Sequence, residues 1–154
     1  MTIAFKRIDE DNLDAIIELS DKLTENQKKC VASNLYSIAE STVHPNNAYY
    51  RAIYLGEEPI GFFMVYIPDE KSIKKGNDKF FLWRFMIVPE HQGKGYGRVV
   101  LDRVREMAKE QKYTKLYTSC GMVEDGPYPF YKKYGFNENG EMLGDETVLE
   151  IDVR

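Results

Sequence analysis

The chain has 154 residues, 43% of them apolar and 30% charged, which suits one domain with a single buried core. A net charge of −4 argues against a surface made for nucleic acid or a membrane and would suit a cationic small molecule. The two cysteines, Cys30 and Cys120, share no metal-ligand spacing, so no metal centre and no disulfide framework is expected, and a reduced cytoplasmic setting is.

The opening MTIAFKRIDED lacks a leader's apolar run, and IAFKRI (3–8) alternates as a strand does. Over 11–23, Leu13, Ile16, Ile17 and Leu23 fall on one side of a helix that Asp11 or Asn12 can cap. A second helix is expected over 26–40, with Val31, Leu35 and Ile38 on its apolar face and Thr24 and Gln27 at capping-box spacing. STVHPNN (41–47) ends regular structure, and AYYRAIYLG (48–56) with PIGFFMVYI (59–67) reads as a hairpin. The apolar run in the second of these strands is far too short to cross a bilayer.

PDEKSIKKGNDK (68–79) reads as a polar loop, and KFFLWRFMIV (79–88) as a central strand closed by Pro89. From Gly97, the spacing of Val100, Leu101, Val104, Met107 and Ala108 predicts an amphipathic helix to about residue 111. TKLYTSC (114–120) is a strand, GMVEDGP (121–127) a loop, PFYKKYGF (129–136) a short helix stopped by Gly135, and ETVLEIDV (146–153) a terminal strand. No linker or repeat divides the chain, so one domain over 1–154 is expected. Its class is α/β: a mixed, mostly antiparallel sheet flanked by helices, with one strand–helix–strand crossover.

Between the central strand and the long helix lies EHQGKGYGRVV (90–100). A helix start leaves its first amides unpaired and partly positive, and glycine lets an anion approach the backbone. This turn is not a P-loop, because no Gly-Lys-Ser/Thr follows. Nor is it the dinucleotide fingerprint, because Arg98 stands where its third glycine would be. From the glycines alone, a phosphate cradle and a tight turn without ligand are both open.

Gln92-Gly93-Lys94-Gly95-Tyr96-Gly97 fits the pattern Q/R-x-x-G-x-G/A, directly after a strand ending Phe85-Met86-Ile87-Val88-Pro89. With LYTSC and PFYKKYGF downstream, this resembles the GCN5-related N-acetyltransferases (GNAT family), well over about 55–140 and loosely over the rest. The resemblance implies acetyl-CoA as cosubstrate and a sheet whose two central strands splay apart. It also implies main-chain groups of Phe85, Met86 and Ile87 along the pantetheine arm, and a cofactor-binding turn of Gln92, Gly93, Lys94, Gly95, Tyr96, Gly97 and Arg98 around the pyrophosphate. Charge from Lys94 and Arg98 would help there, although either side chain is equally at home in water.

Acetyl transfer to an amine needs a neutral nitrogen, stabilisation of the carbonyl oxygen and a proton for the departing thiolate. The resemblance places Tyr131 as the acid, with Tyr134 its competitor one helical turn on. Many relatives carry a glutamate two residues before Phe85; here that position is Trp83, followed by Arg84. Glu124, with Asp125 beside it, is therefore the candidate base, against a plain solvated acidic loop. Cys120 has no histidine at a readable spacing and is read as a packed residue rather than an acyl carrier. His44 is either an acceptor-site residue or an ordinary loop histidine.

The amine is expected to be a small cation such as a polyamine. Glu18, Asp21, Glu25, Glu40, Glu124 and Asp125 supply acidity in the regions that build the family's acceptor pocket, and LWRFMI…QGKGYG, taken with the ENQKKCVASN segment, is similar to bacterial spermine/spermidine acetyltransferases. Alternatives are a protein or peptide N-acetyltransferase and a non-catalytic CoA-binding sensor. A basic helix face at 98–112 reading nucleic acid is interrupted by Glu106 and Glu110. A homodimer is compatible with all of these.

Overall fold

The computed structural model describes residues 2–154. Helices α1 (Leu13–Leu19), α2 (Glu25–Lys28), α3 (Asn34–Ser41), α4 (Glu70–Lys74), α5 (Tyr96–Glu110) and α6 (Tyr128–Tyr134) flank a single sheet. Its strands are β1 (Ile3–Lys6), β2 (Ala48–Leu55), β3 (Glu58–Tyr66), β4 (Phe81–Ile87), β5 (Lys115–Cys120), β6 (Asn137–Leu143) and β7 (Glu146–Asp152), in the order β1-β2-β3-β4-β5-β7-β6. Every neighbouring pair is antiparallel except β4 and β5. That parallel pair is joined by α5, the long crossover such a pair requires. The α/β class and the crossover agree with the sequence reading. Among the described residues, no helix is long and apolar enough to cross a membrane.

The core forms where the apolar runs predict it. Phe62, Phe63, Met64 and Val65 of β3 are buried on both faces of the sheet, against Ile16 and Leu19 of α1 and Val100, Leu101 and Val104 of α5. The apolar stripe of α5 is the one its helical spacing predicts.

Three elements differ from expectation. The helix expected over 26–40 is two helices. Thr24 and Gln27 do form a reciprocal capping box, but α2 ends after one turn and Ser33 starts α3 by accepting the Tyr36 amide. The buried face of α3 is polar: Asn34, Ser37 and Ser41 point inward, and Leu35 is 56% exposed. Asn34 replaces apolar packing with hydrogen bonds, donating its side-chain amide to the Ile16 carbonyl (2.8 Å) and its backbone amide to Ser20 Oγ (3.0 Å). The loop over 68–79 contains α4, because Asp69 and Ser72 cap one another reciprocally. Strand β6 is too polar to read as a strand, and its pattern reflects an outer edge almost wholly in solvent.

The feature that positions the site lies in β4. Met64 pairs with Arg84 and Val65 with Leu82, so Trp83 is the extra residue of a β-bulge. Strand β5 follows β4 only through Phe81↔Tyr117 and Leu82↔Thr118. Thr118 Oγ1 donates to the Leu82 carbonyl at 3.0 Å, the last bond before the strands part. Beyond it the sheet opens as a wedge, and this is the splay that the sequence alone does not reveal.

Candidate active site

The wedge holds a cavity of about 450 Å³. One wall is the free edge of β4. Val88 donates its amide to the Ile60 carbonyl of β3, while Gln92 Nε2 reaches the Ile87 carbonyl from the cavity side at 2.7 Å. Main-chain groups alternate along a strand. Phe85 and Ile87 therefore turn their peptide groups toward the wedge, and Met86 turns its own toward β3. The Met86 side chain receives the Asn34 amide at its sulfur, 3.7 Å away. Gln92 also accepts from Gln27 Nε2 (3.0 Å), which ties α2 to the end of β4.

The mouth of the wedge is the glycine turn. Gly93 (φ +73°) and Gly95 (φ +89°) occupy the left-handed region, and a Cβ placed on either would meet nothing within 4 Å. Among the described residues, no acceptor takes the amides of Gly93, Lys94 or Gly95, and the first turn of α5 adds further free amides. Bare donors, open space and a helix N-terminus together fit a diphosphate. Gly97 has a different reason to be glycine: a Cβ there would lie 2.8 Å from the Phe130 ring, so it lets α6 pack on the start of α5. Lys94 is exposed, Tyr96 is half-buried with its ring 6.2 Å from His91, and the Arg98 guanidinium lies 5.8 Å from the Tyr134 ring centre.

Tyr131 lies at the floor of the wedge, 5% exposed, between the rings of Phe130 (5.5 Å) and Phe136 (5.4 Å). Burial raises its pKa far above that of a free phenol, with Thr118 pulling the other way, so the hydroxyl keeps its proton at all physiological pH values. Tyr134 is a poor rival. Its hydroxyl donates to Asp102 Oδ1 at 2.6 Å, and burial with that bond pushes its pKa up to about 12.

Glu124 is exposed on the turn before α6, outside the cavity lining, whereas its neighbour Asp125 lines it. Glu40 is engaged by Arg84 at 2.6 Å and is not a free acceptor-site charge. Cys30 lines the cavity and Cys120 is buried. Burial first, and the Glu146 carboxylate second, raise the pKa of both thiols, that of Cys120 to about 11, which leaves neither suited to carry an acyl group.

Two further groups face this region: a Ser119–Glu146 pair that the sequence reading missed, and an aromatic cluster around His44, which that reading left open as an acceptor-site residue. Ser119 lines the wedge and donates to Glu146 Oε1 at 2.6 Å. A second cavity of about 380 Å³ adjoins the first through Trp83. His44 and Tyr66 meet Trp83 there edge to face, at 5.5 and 5.9 Å. The Ser119–Glu146 pair and the meeting of Tyr66 with Trp83 depend on pairings between distant strands, and no local motif marks them.

The family model described as the acetyltransferase (GNAT) family matches residues 13–136. The spermine/spermidine N(1)-acetyltransferase of Bacillus subtilis (strain 168) is 28% identical over 155 aligned residues, covering 97% of each chain. Among solved structures, the PaiA N-acetyltransferase of Thermoplasma acidophilum, in complex with coenzyme A, superposes with a TM-score of 0.73 at 17% identity over 99% of both chains. A mutant form of the Vibrio cholerae spermidine N-acetyltransferase SpeG superposes with a TM-score of 0.69 at 16% identity, covering 98% of this chain and 94% of that one.

Proposed function

The chain belongs to the GNAT acetyltransferase family, and from that premise we propose that it acetylates a small cationic amine of the polyamine class, with Tyr131 as the acid. Acetyl-CoA, the cosubstrate, supplies an activated thioester. The turn from Gly93 to Arg98 holds the pyrophosphate on its unpaired amides. The peptide group of Phe85 and the amide of Ile87, whose carbonyl already accepts from Gln92, take the pantetheine arm as a sheet edge takes an added strand. One of the β4 amides faces the carbonyl oxygen as charge builds on it.

The observation that carries this reading is the wedge itself. A bulge at Trp83 parts β4 from β5, bare amides stand at its mouth and the buried, protonated phenol of Tyr131 lines it. A direct attack by the amine requires no nucleophilic side chain, which agrees with the raised pKa of both cysteines. The choice of acceptor is supported by the full-length similarity to the Bacillus subtilis enzyme and by the net charge of −4.

The test is thiol release from acetyl-CoA with spermine, spermidine, single amino acids, aminoglycosides and short peptides. Turnover with polyamines well above the others is expected. Turnover confined to peptides would move the acceptor to a protein terminus or lysine, and coenzyme A binding without turnover on any amine would leave a sensor.

A further inference from the structure

We propose that Ser119 and Glu146 are the proton-accepting pair for the incoming amine. This rests on the transferase reading above and names the base that Trp83 leaves missing from β4. Ser119 sits on β5 one residue past Thr118, where β4 has already turned away, and it lines the wedge. Its hydroxyl donates to Glu146 Oε1 at 2.6 Å across the β5–β7 pairing.

The pair also lies on the right face of the sheet. Phe81 is in register with both Tyr66 and Tyr117, and Ser119 with Val148. Side chains directly opposite share a face and alternate along each strand. Ser119, Glu146 and Val148 therefore stand on the face that carries Phe81, Tyr66 and the second, aromatic cavity. Thr118 stands on the other face, toward Tyr131. Acid and base are thus separated by the plane of the sheet, with the wedge between them. The amine adds to the thioester carbonyl and the sulfur leaves from the tetrahedral intermediate, so one group can serve the nitrogen and another the sulfur from separate positions.

The electrostatics suit the role. Glu146 makes no ion pair among the described residues. Ser119 of β5 is its bonded partner, and the groups its charge reaches across the sheet are Cys120, Tyr131 of α6 and Cys30 beyond α2, all neutral at pH 7. Glu138 of β6 also acts on Cys120, but it is occupied by the Tyr128 hydroxyl; Asp145 is the adjacent residue on the chain. A cationic amine entering here would meet a carboxylate that no described cation pairs with.

The protons balance. The ammonium gives one proton to Ser119 Oγ as the serine passes its own to Glu146 Oε1, which frees the nitrogen lone pair. That pair forms the C–N bond to the thioester carbon. As the C–S bond breaks, Tyr131 gives its proton to the sulfur, and the second nitrogen proton restores the phenol. Glu146 then releases its proton to water, so the cycle yields the amide, the free thiol and one proton.

Glu146→Gln tests the assignment, because the amide oxygen still accepts the Ser119 bond but cannot take a proton. A primary alkyl ammonium with a pKa near 10.4 is neutral in only about one molecule in 10³ at pH 7.4. For an amine the parent chain acetylates, kcat/KM of the variant should fall roughly 10²–10³-fold at pH 7.4. It should then rise about tenfold per pH unit and approach the parent value near pH 10. Ser119→Ala should show the same pH-dependent deficit and Ser119→Thr should restore most of it, with acetyl-CoA affinity by calorimetry unchanged throughout. A deficit of the same size from pH 6.5 to 9.5, or none, overturns the proposal. A parent chain that acetylates no amine overturns the transferase reading beneath it.

Discussion

Tyr131→Phe separates chemistry from packing more cleanly than any other change in the wedge. The ring sits between Phe130 and Phe136 at 5.5 and 5.4 Å, and phenylalanine keeps both contacts. The lost atom is a buried hydroxyl whose polar neighbour is Thr118, already committed to the Leu82 carbonyl. Removing a weakly partnered buried hydroxyl changes stability by about 1 kcal/mol or less. The expected shift in Tm is therefore within about 4 °C, by differential scanning calorimetry. Loss of a positioned proton donor costs roughly 10²–10⁴ in kcat, or about 2.7–5.4 kcal/mol of barrier. Acetyl-CoA affinity should stay within about twofold, because the role proposed for the phenol is at the sulfur end and not at the diphosphate. Because burial keeps the phenol protonated throughout the assay range, the deficit should be the same from pH 6.5 to 9. A variant that turns over within a few-fold of the parent removes Tyr131 from the mechanism.

Two glycines test the walls of the wedge. A Cβ on Gly61 would lie 2.4 Å from the Met86 carbonyl oxygen, a backbone atom that cannot swing aside. Gly61→Ala must push β3 from β4, with a destabilisation of about 1–3 kcal/mol and a drop in Tm of roughly 2–12 °C, alongside a higher acetyl-CoA KM. A melt unchanged from the parent would contradict the close approach. Gly97→Ala meets only the Phe130 ring, which is 37% exposed and can turn toward the cavity. Its Tm should barely move, while overpacking of about 1 kcal/mol weakens acetyl-CoA roughly fivefold in a calorimetric titration. Undiminished affinity would show that the ring turns away from the cavity.

The parts of the fold written in local pattern were legible in the sequence. Strands β2, β3 and β4 announce themselves by β-branched and aromatic runs, α5 by a regular apolar stripe, and α2 by the Thr24–Gln27 box. What was not legible depends on distant partners. Helix α3 buries Asn34 because the Ile16 carbonyl, 18 residues away, receives its amide, and hydrophobic counting points such a residue outward. Strand β6 is polar because only one of its edges is paired. The bulge at Trp83 is a matter of register between two strands, and nothing in KFFLWRFMIV marks it.

The site divides in the same way. The glycine turn is a contiguous motif, and the reason for Gly93 and Gly95 could be read from sequence. The reason for Gly97 could not, because it is a ring 33 residues downstream. Glu124 drew attention by its place before the Tyr131 helix and stands in solvent. Glu146 reaches the wedge from the far side of the β7 pairing, 27 residues beyond Ser119.

The central claim is that the unpaired amides at 93–98 receive the diphosphate of acetyl-CoA. Amide hydrogen exchange, resolved to single residues with and without the cosubstrate, tests it most directly. Slowing by tenfold or more at Gly93, Lys94, Gly95 and the first turn of α5, with the amides of β1 and β6 unchanged, is the predicted result. Exchange at 93–98 that is indifferent to saturating acetyl-CoA would contradict it.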